Sequence, residues 1–245
     1  MIPATGPALP FLAVMLPAAF CGGFVRGFTG FGGPLLVLPV MTIFEPAASA
    51  AATVLCMDVF ANVQMLPATR SHWSARVLVP LLVGTAIGLP LGTYVLVTFD
   101  PSVMRRVIAA VVLAAAGVLL LGWRYTRAIR TPGYGTCGFL GGAIMGATGL
   151  GVVTPLLLSA GPGGAAETRA NIVAWVFLAT LFMLALLFAR RVLVSADLPS
   201  LLPLIVSYLV GIAVGCRMHN RASEAAARRA TLICVIAIAL VSIVA

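Results

Sequence analysis

The sequence predicts an all-α polytopic membrane protein made of two inverted repeats of about five apolar segments. Each repeat opens on a pair of short or re-entrant helices. Three observations carry this expectation. The 245 residues are 62% hydrophobic and 9% charged, with a mean hydropathy of +1.15, whereas a soluble domain carries about 25% charged residues. The apolar stretches are continuous and lack the alternation of a transmembrane barrel. A patterned block near the start also recurs in the second half.

Cutting at charges, prolines and glycines gives ten apolar segments: 11–27, 31–44, 47–67, 77–97, 102–123, 137–146, 150–160, 170–188, 198–216 and 229–245. The first two meet at GGFVRGFTGFG, residues 22–32. The third carries Asp58, followed by Asn62 and Gln64. The fourth reads P-x7-G-x3-G from Pro80, and its Gly88 and Gly92 suit close helix packing. Asp100-Pro101 puts an N-cap and a first-turn proline before the fifth.

The sixth and seventh segments meet at GGAIMGATGLG, residues 141–151. This block repeats the first as G-G-x-x-x-G-x-T-G-x-G, at an offset of 119 residues. Asn171 begins the eighth segment, and Asp197 precedes the ninth. The ninth repeats P-x7-G-x3-G from Pro203 through Gly211 and Gly215, now at an offset of 123. Arg228-Arg229 match Arg105-Arg106 at that same offset. A fixed internal period marks a duplicated architecture, here with repeats at 1–130 and 131–245.

The first two segments of each half are too short for a full crossing, which takes about 20 residues. Each pair is either one broken crossing or a hairpin that returns to its own side. Arginine placement favours the hairpin. It puts ten arginines on one side against four on the other (Arg105, Arg106, Arg190 and Arg191), where the broken crossing gives seven and seven. Basic residues favour the cytoplasmic side. Both termini are then expected in the periplasm, with the second half inverted relative to the first, as in many secondary transporters.

All fifteen basic residues are arginine, and the net charge is +9. Fourteen sit in connectors or at segment ends, so the charge sets membrane orientation and no nucleic acid is expected. The five cysteines form no C-x-x-C pair and read as small hydrophobes. With His72 and His219 both in connectors, no metal, cofactor or catalytic constellation can be assembled.

Two charges lie inside apolar segments: Arg26 and Asp58. A charge at bilayer depth costs several kcal/mol unless paired or hydrated, so both are functional candidates, or else a structural ion pair. Their counterparts at offset 119 are Met145 and Phe177, so both charges belong to one half. A helix restarting after a glycine turn presents free N–H groups and a positive dipole end, which suits an anion. The candidate binding residues are therefore Arg26, Thr29, Gly30, Gly32, Gly33, Thr148, Gly149, Gly151 and Asn171. Asp58 is the candidate for proton coupling or for holding Arg26.

The paired G-x-x-x-G-x-T-G-x-G blocks, each followed by an apolar run containing proline (Pro39, Pro155), resemble the TauE/SafE family of sulfite exporter-like permeases. The resemblance covers nearly the whole chain. It implies a bacterial inner-membrane permease for sulfur-containing anions such as sulfite or sulfoacetate. Val152-Val153 depart from Gly33-Pro34 of the first block.

The reading is a secondary transporter for a small anion, not an enzyme, with the two halves forming one transport domain. Its expected partners are the anion, the lipid bilayer, a coupling proton and possible further copies of the chain. A passive anion channel is the first alternative; a membrane-embedded enzyme and a scaffold follow. No P-loop is present, so coupling to ATP is not expected.

Overall fold

The computed structural model describes residues 9–29, 31–121, 125, 129, 131–162, 164–192 and 198–219. Within these residues the chain forms nine α-helices and one 3-10 turn. They are α1 (Leu9–Thr29), α2 (Gly33–Phe44), α3 (Ala47–Thr69), α4 (Ala75–Thr98), α5 (Pro101–Leu121), α6 (Thr131–Thr148), α7 (Val153–Ser159), α8 (Ala165–Ala189) and α9 (Leu198–His219). The tenth apolar segment, 229–245, lies outside the described residues, as does Arg228-Arg229.

Six helices are long and apolar enough to cross a membrane: α1, α3, α4, α5, α8 and α9. The expectation that both members of each opening pair are short needs correction. α1 has 21 residues and α6 has 18, or about 32 and 27 Å at 1.5 Å per residue. Only α2, with 12 residues, and α7, with 7, are short. Cutting at glycine and proline truncates α6, because its glycines face a partner helix and that packing outweighs their low helix propensity.

Each opening pair folds back on itself. Arg26 lies beside Gly33, Gly22 beside Val37, and Phe11 meets Phe44 edge-on at 5.2 Å. In the second pair, Met145 lies beside Gly151 and Gly141 beside Thr154. The partner index falls as the chain index rises, which is the signature of an antiparallel hairpin.

The most extensive interfaces join α4 to α6 and α1 to α9. Both are built on glycine. On α1, Gly23 and Gly27 face the backbone of Tyr208 and Ile212, while Gly211 and Gly215 of α9 face Phe20 and Phe24. On α6, Gly142 and Gly146 face Thr85 and Leu89, while Gly88 and Gly92 of α4 face Phe139 and Ala143. Adding 119 to the α1 positions and subtracting 123 from the α9 positions converts the first interface into the second. In both, positions rise together, so the paired helices run parallel. With no hydrophobic drive between helices in lipid, this backbone-to-backbone approach supplies the association energy through van der Waals contact.

Short connectors fix the rest. The Ser102 backbone N–H donates to Asp100 Oδ1 at 2.8 Å, so Asp100 caps α5 as its sequence context predicts. The Ser102 hydrogen bonds hold the Asp100 carboxyl below its ordinary range.

A Cβ on Gly88 would strike the Phe139 carbonyl oxygen, whereas one on Gly117 meets nothing within 4 Å. Gly88→Leu is therefore expected to cost at least the ~1–3 kcal/mol of an overpacked core, and Gly117→Leu almost nothing. Thermal denaturation in detergent compares the two; equal stabilities would contradict the α4–α6 interface.

Candidate functional site

The site begins in the last turn of α1. Arg26 sits there with 1% of its surface exposed, at a helix end whose partial negative charge suits a cation. Its Nη2 donates to Asp58 Oδ2 at 3.2 Å and to Asn62 Oδ1 at 2.6 Å. Asp58 and Asn62 are four residues apart on α3 and so share a face. The Asn62 amide donates to the Asp58 carbonyl at 2.8 Å and to Asp58 Oδ2 at 3.0 Å. Tyr208 of α9 donates its hydroxyl to Asp58 Oδ1 at 3.0 Å. The Asp58 carboxylate thus receives three donors from three helices. Arg26 Nε, also buried, has no partner among the described residues.

A partly open cavity lies against this network. From the first half it is lined by Arg26, Asp58, Leu55 and the turn residues Gly32, Pro34 and Leu35. From the second half come Met145, Gly149, Leu150, Gly151 and Val152, with Val176 and Thr180 of α8. It has space for about one water molecule. Both glycine turns therefore meet at one place, with Arg26 on one wall and its apolar counterpart Met145 also in the lining.

Two glycines carry the turns. Gly32 has φ 92° and Gly149 has φ 75°, a left-handed backbone that disfavours any side chain with a Cβ. They are not equivalent in the repeat, since Gly149 corresponds to Gly30. Gly33 serves a different purpose: a Cβ there would collide with the Tyr208 hydroxyl. The repeated block therefore divides by task. Its first glycines pack helices, and its last glycines turn the chain toward the cavity.

The remaining candidates are placed as follows. Gly30 lies outside the described residues, and Thr29 is the last residue of α1. Thr148 donates its hydroxyl to the Ile144 carbonyl at 2.6 Å and accepts from Leu150 N–H at 3.2 Å. Its one proton is committed to its own helix, and it does not line the cavity. Asn171 also lies elsewhere: Oδ1 accepts from the Ser74 N–H at 2.9 Å, tying the start of α8 to the start of α4. The backbone supply is smaller than the turn pattern suggests. Pro34 has no N–H, Leu35 N–H is used on the Gly32 carbonyl at 3.1 Å, and α7 spans under two turns.

Sequence reasoning missed Tyr208 and Thr180 and treated Asn62 only as a polar neighbour. Asn62 had a legible signal in its i+4 spacing from Asp58. Thr180 stood as the lone hydroxyl of the run 172–189, inside the most apolar span, of hydropathy 2.7. Nothing in the sequence pairs Tyr208 with Asp58 across 150 positions.

The family model described as Sulfite exporter TauE/SafE matches residues 15–242. No curated protein and no solved structure matches the chain.

Removing one member of a buried ion pair costs about 3–5 kcal/mol, because the other charge is stranded. Arg26→Met is therefore expected to destabilise strongly, and Arg26→Met/Asp58→Asn to recover much of the loss. Chemical denaturation across the double-mutant cycle measures the coupling; strictly additive losses would show that the two side chains do not act as a pair.

Proposed function

The chain belongs to the sulfite exporter TauE/SafE family, and from that premise we propose that it is a secondary transporter of a small sulfur-containing anion across the bacterial inner membrane. Sulfite, sulfoacetate and related sulfonates are the substrate class. The carrying observation is the cavity where both glycine turns meet a buried arginine whose Nε–H has no partner among the described residues.

Charge balance supplies the coupling. Arg26 and Asp58 neutralise each other at 3.2 Å. A monoanion entering the site would leave one net negative charge buried, which is costly unless compensated. Protonating Asp58 removes that excess and frees the guanidinium for the anion. A proton then travels with the substrate, with Asp58 as its carrier and Asn62 and Tyr208 as its positioning partners.

The course of the helices supports inverted repeats at 1–130 and 131–245. α2 returns along α1, and α3 returns along α2, with Leu38 and Ala51 both beside Gly149. The start of α8 meets the connector at the end of α3 through Asn171 and Ser74, while the middles of α3 and α8 both line the cavity. So α8 opposes α3. α4 and α6 run with α8, and α9 runs with α1. Under this course the second half reverses the first, and the ten-to-four arginine bias falls on one side, which we assign to the cytoplasm. Both termini then face the periplasm. The cavity is ringed by buried residues and is too small for a sulfonate, which favours a carrier with alternating access over an open channel.

Methanesulfonate is the better probe of coupling, since it carries a single charge that is constant near neutral pH. In proteoliposomes its flux should saturate, exchange by counterflow and respond to a pH gradient. Asp58→Asn should abolish the response to the gradient, and adding Arg26→Met in that background should abolish flux. Flux without saturation or counterflow would make the protein a channel.

A further inference from the structure

Among the described residues, Thr180 is the buried threonine whose hydroxyl lacks a hydrogen-bond partner; Thr53 bonds Glu45 and Thr154 donates to the Cys137 carbonyl. Thr85, Thr93, Thr98 and Thr148 each donate their hydroxyl to the carbonyl four residues earlier, at 2.6–2.9 Å. Thr42 donates to the carbonyl three residues earlier, at 2.7 Å. That local bond is the ordinary way to satisfy a hydroxyl inside an apolar helix. Thr180 is fully buried, yet its Oγ1 makes no hydrogen bond. It lines the same cavity as Arg26.

Among the described residues, three buried side-chain polar atoms lack partners, and two of them, Arg26 Nε and Thr180 Oγ1, belong to residues that line this cavity. They come from opposite halves of the chain, α1 and α8. A buried unpaired polar atom is disfavoured and calls for an explanation. The acceptors of the network are by contrast already served, since both oxygens of the Asp58 carboxylate receive donors. A cavity with open donors and occupied acceptors is built for a group rich in lone pairs.

We propose that Thr180 is a ligand-binding residue, its hydroxyl and the Arg26 Nε–H donating to one small oxyanion from opposite halves of the protein. This rests on the anion reading above and deepens it. The hydroxyl role that the repeated threonines suggested moves from Thr148, whose proton is used locally, to Thr180. A two-point donor set spanning both halves also makes the anion a bridge between them. Ligand binding then couples α8 to the end of α1.

Sulfoacetate binding to detergent-solubilised protein, read by calorimetry, tests the assignment. Thr180→Val keeps the shape and removes the hydroxyl; Thr180→Ala is the second variant should valine pack badly; Thr180→Ser restores a donor. A hydrogen bond to a charged group corresponds to about a tenfold or greater change in Kd. Valine and alanine should both weaken binding by that factor, and serine should stay within about threefold of wild type. Ligand-free Thr180→Val should melt no lower than wild type, because the change removes an unpaired buried hydroxyl. Wild-type affinity in the valine and alanine variants, with none in Arg26→Met/Asp58→Asn, would remove Thr180 and leave the anion reading standing. Wild-type affinity in Arg26→Met/Asp58→Asn, measured against Asp58→Asn alone, would overturn the anion reading itself.

Discussion

The pairing of Arg26 with Asp58 is the constraint on which the site depends. Neither charge could lie at this depth alone, because stranding one in a low-dielectric interior costs more than most single contacts return. Their meeting requires the end of α1 to lie against the middle of α3. Asn62 helps by bridging both side chains, and Tyr208 brings α9 to the same point. The pair is satisfied unequally. The carboxylate is saturated, while the guanidinium keeps Nε unpartnered. That inequality is what supports the proposal that a site with no net charge takes an anion.

Glycine makes the meeting geometrically possible. α1 against α9 and α6 against α4 approach so closely that backbone faces backbone. The two interfaces repeat contact for contact at the offsets carried by the sequence. The duplication is therefore preserved in the scaffold, where each half's first helix clasps the other half's fourth. It is not preserved in the chemistry. Arg26 faces a cavity that its own counterpart, Met145, also lines. The Tyr208 position corresponds to Thr85, whose hydroxyl accepts from Trp175 Nε1 at 2.8 Å instead of contacting a carboxylate. A twofold scaffold thus holds a one-sided site.

Much of this was legible in the sequence because membrane helices impose strong, local rules. Apolar length marked the spans, and two charges out of twenty-one stood inside apolar segments. The repeated block marked the two turns. Legibility failed where tertiary contact decides the outcome. Helix α6 looked short because glycine reads as a break until a partner helix covers it. Thr148 looked available because sequence does not show where a hydroxyl proton goes. Asn171 looked near the site because it is near in chain order, whereas its partner is Ser74 at the start of α4 and it does not line the cavity.

The sequence by itself determined an all-helical membrane protein, a duplication of about 120 residues, and a single buried arginine and aspartate confined to one half. These follow from composition, spacing and the energetic cost of charge in hydrocarbon. Only the tertiary structure decided that the two glycine turns share one cavity, that Tyr208 and Asn62 complete the carboxylate's partners, and that Thr180 is left with an unused hydroxyl. Those facts depend on contacts between residues 36 to 150 positions apart, set by the way close-packed glycine faces clasp helices from opposite halves.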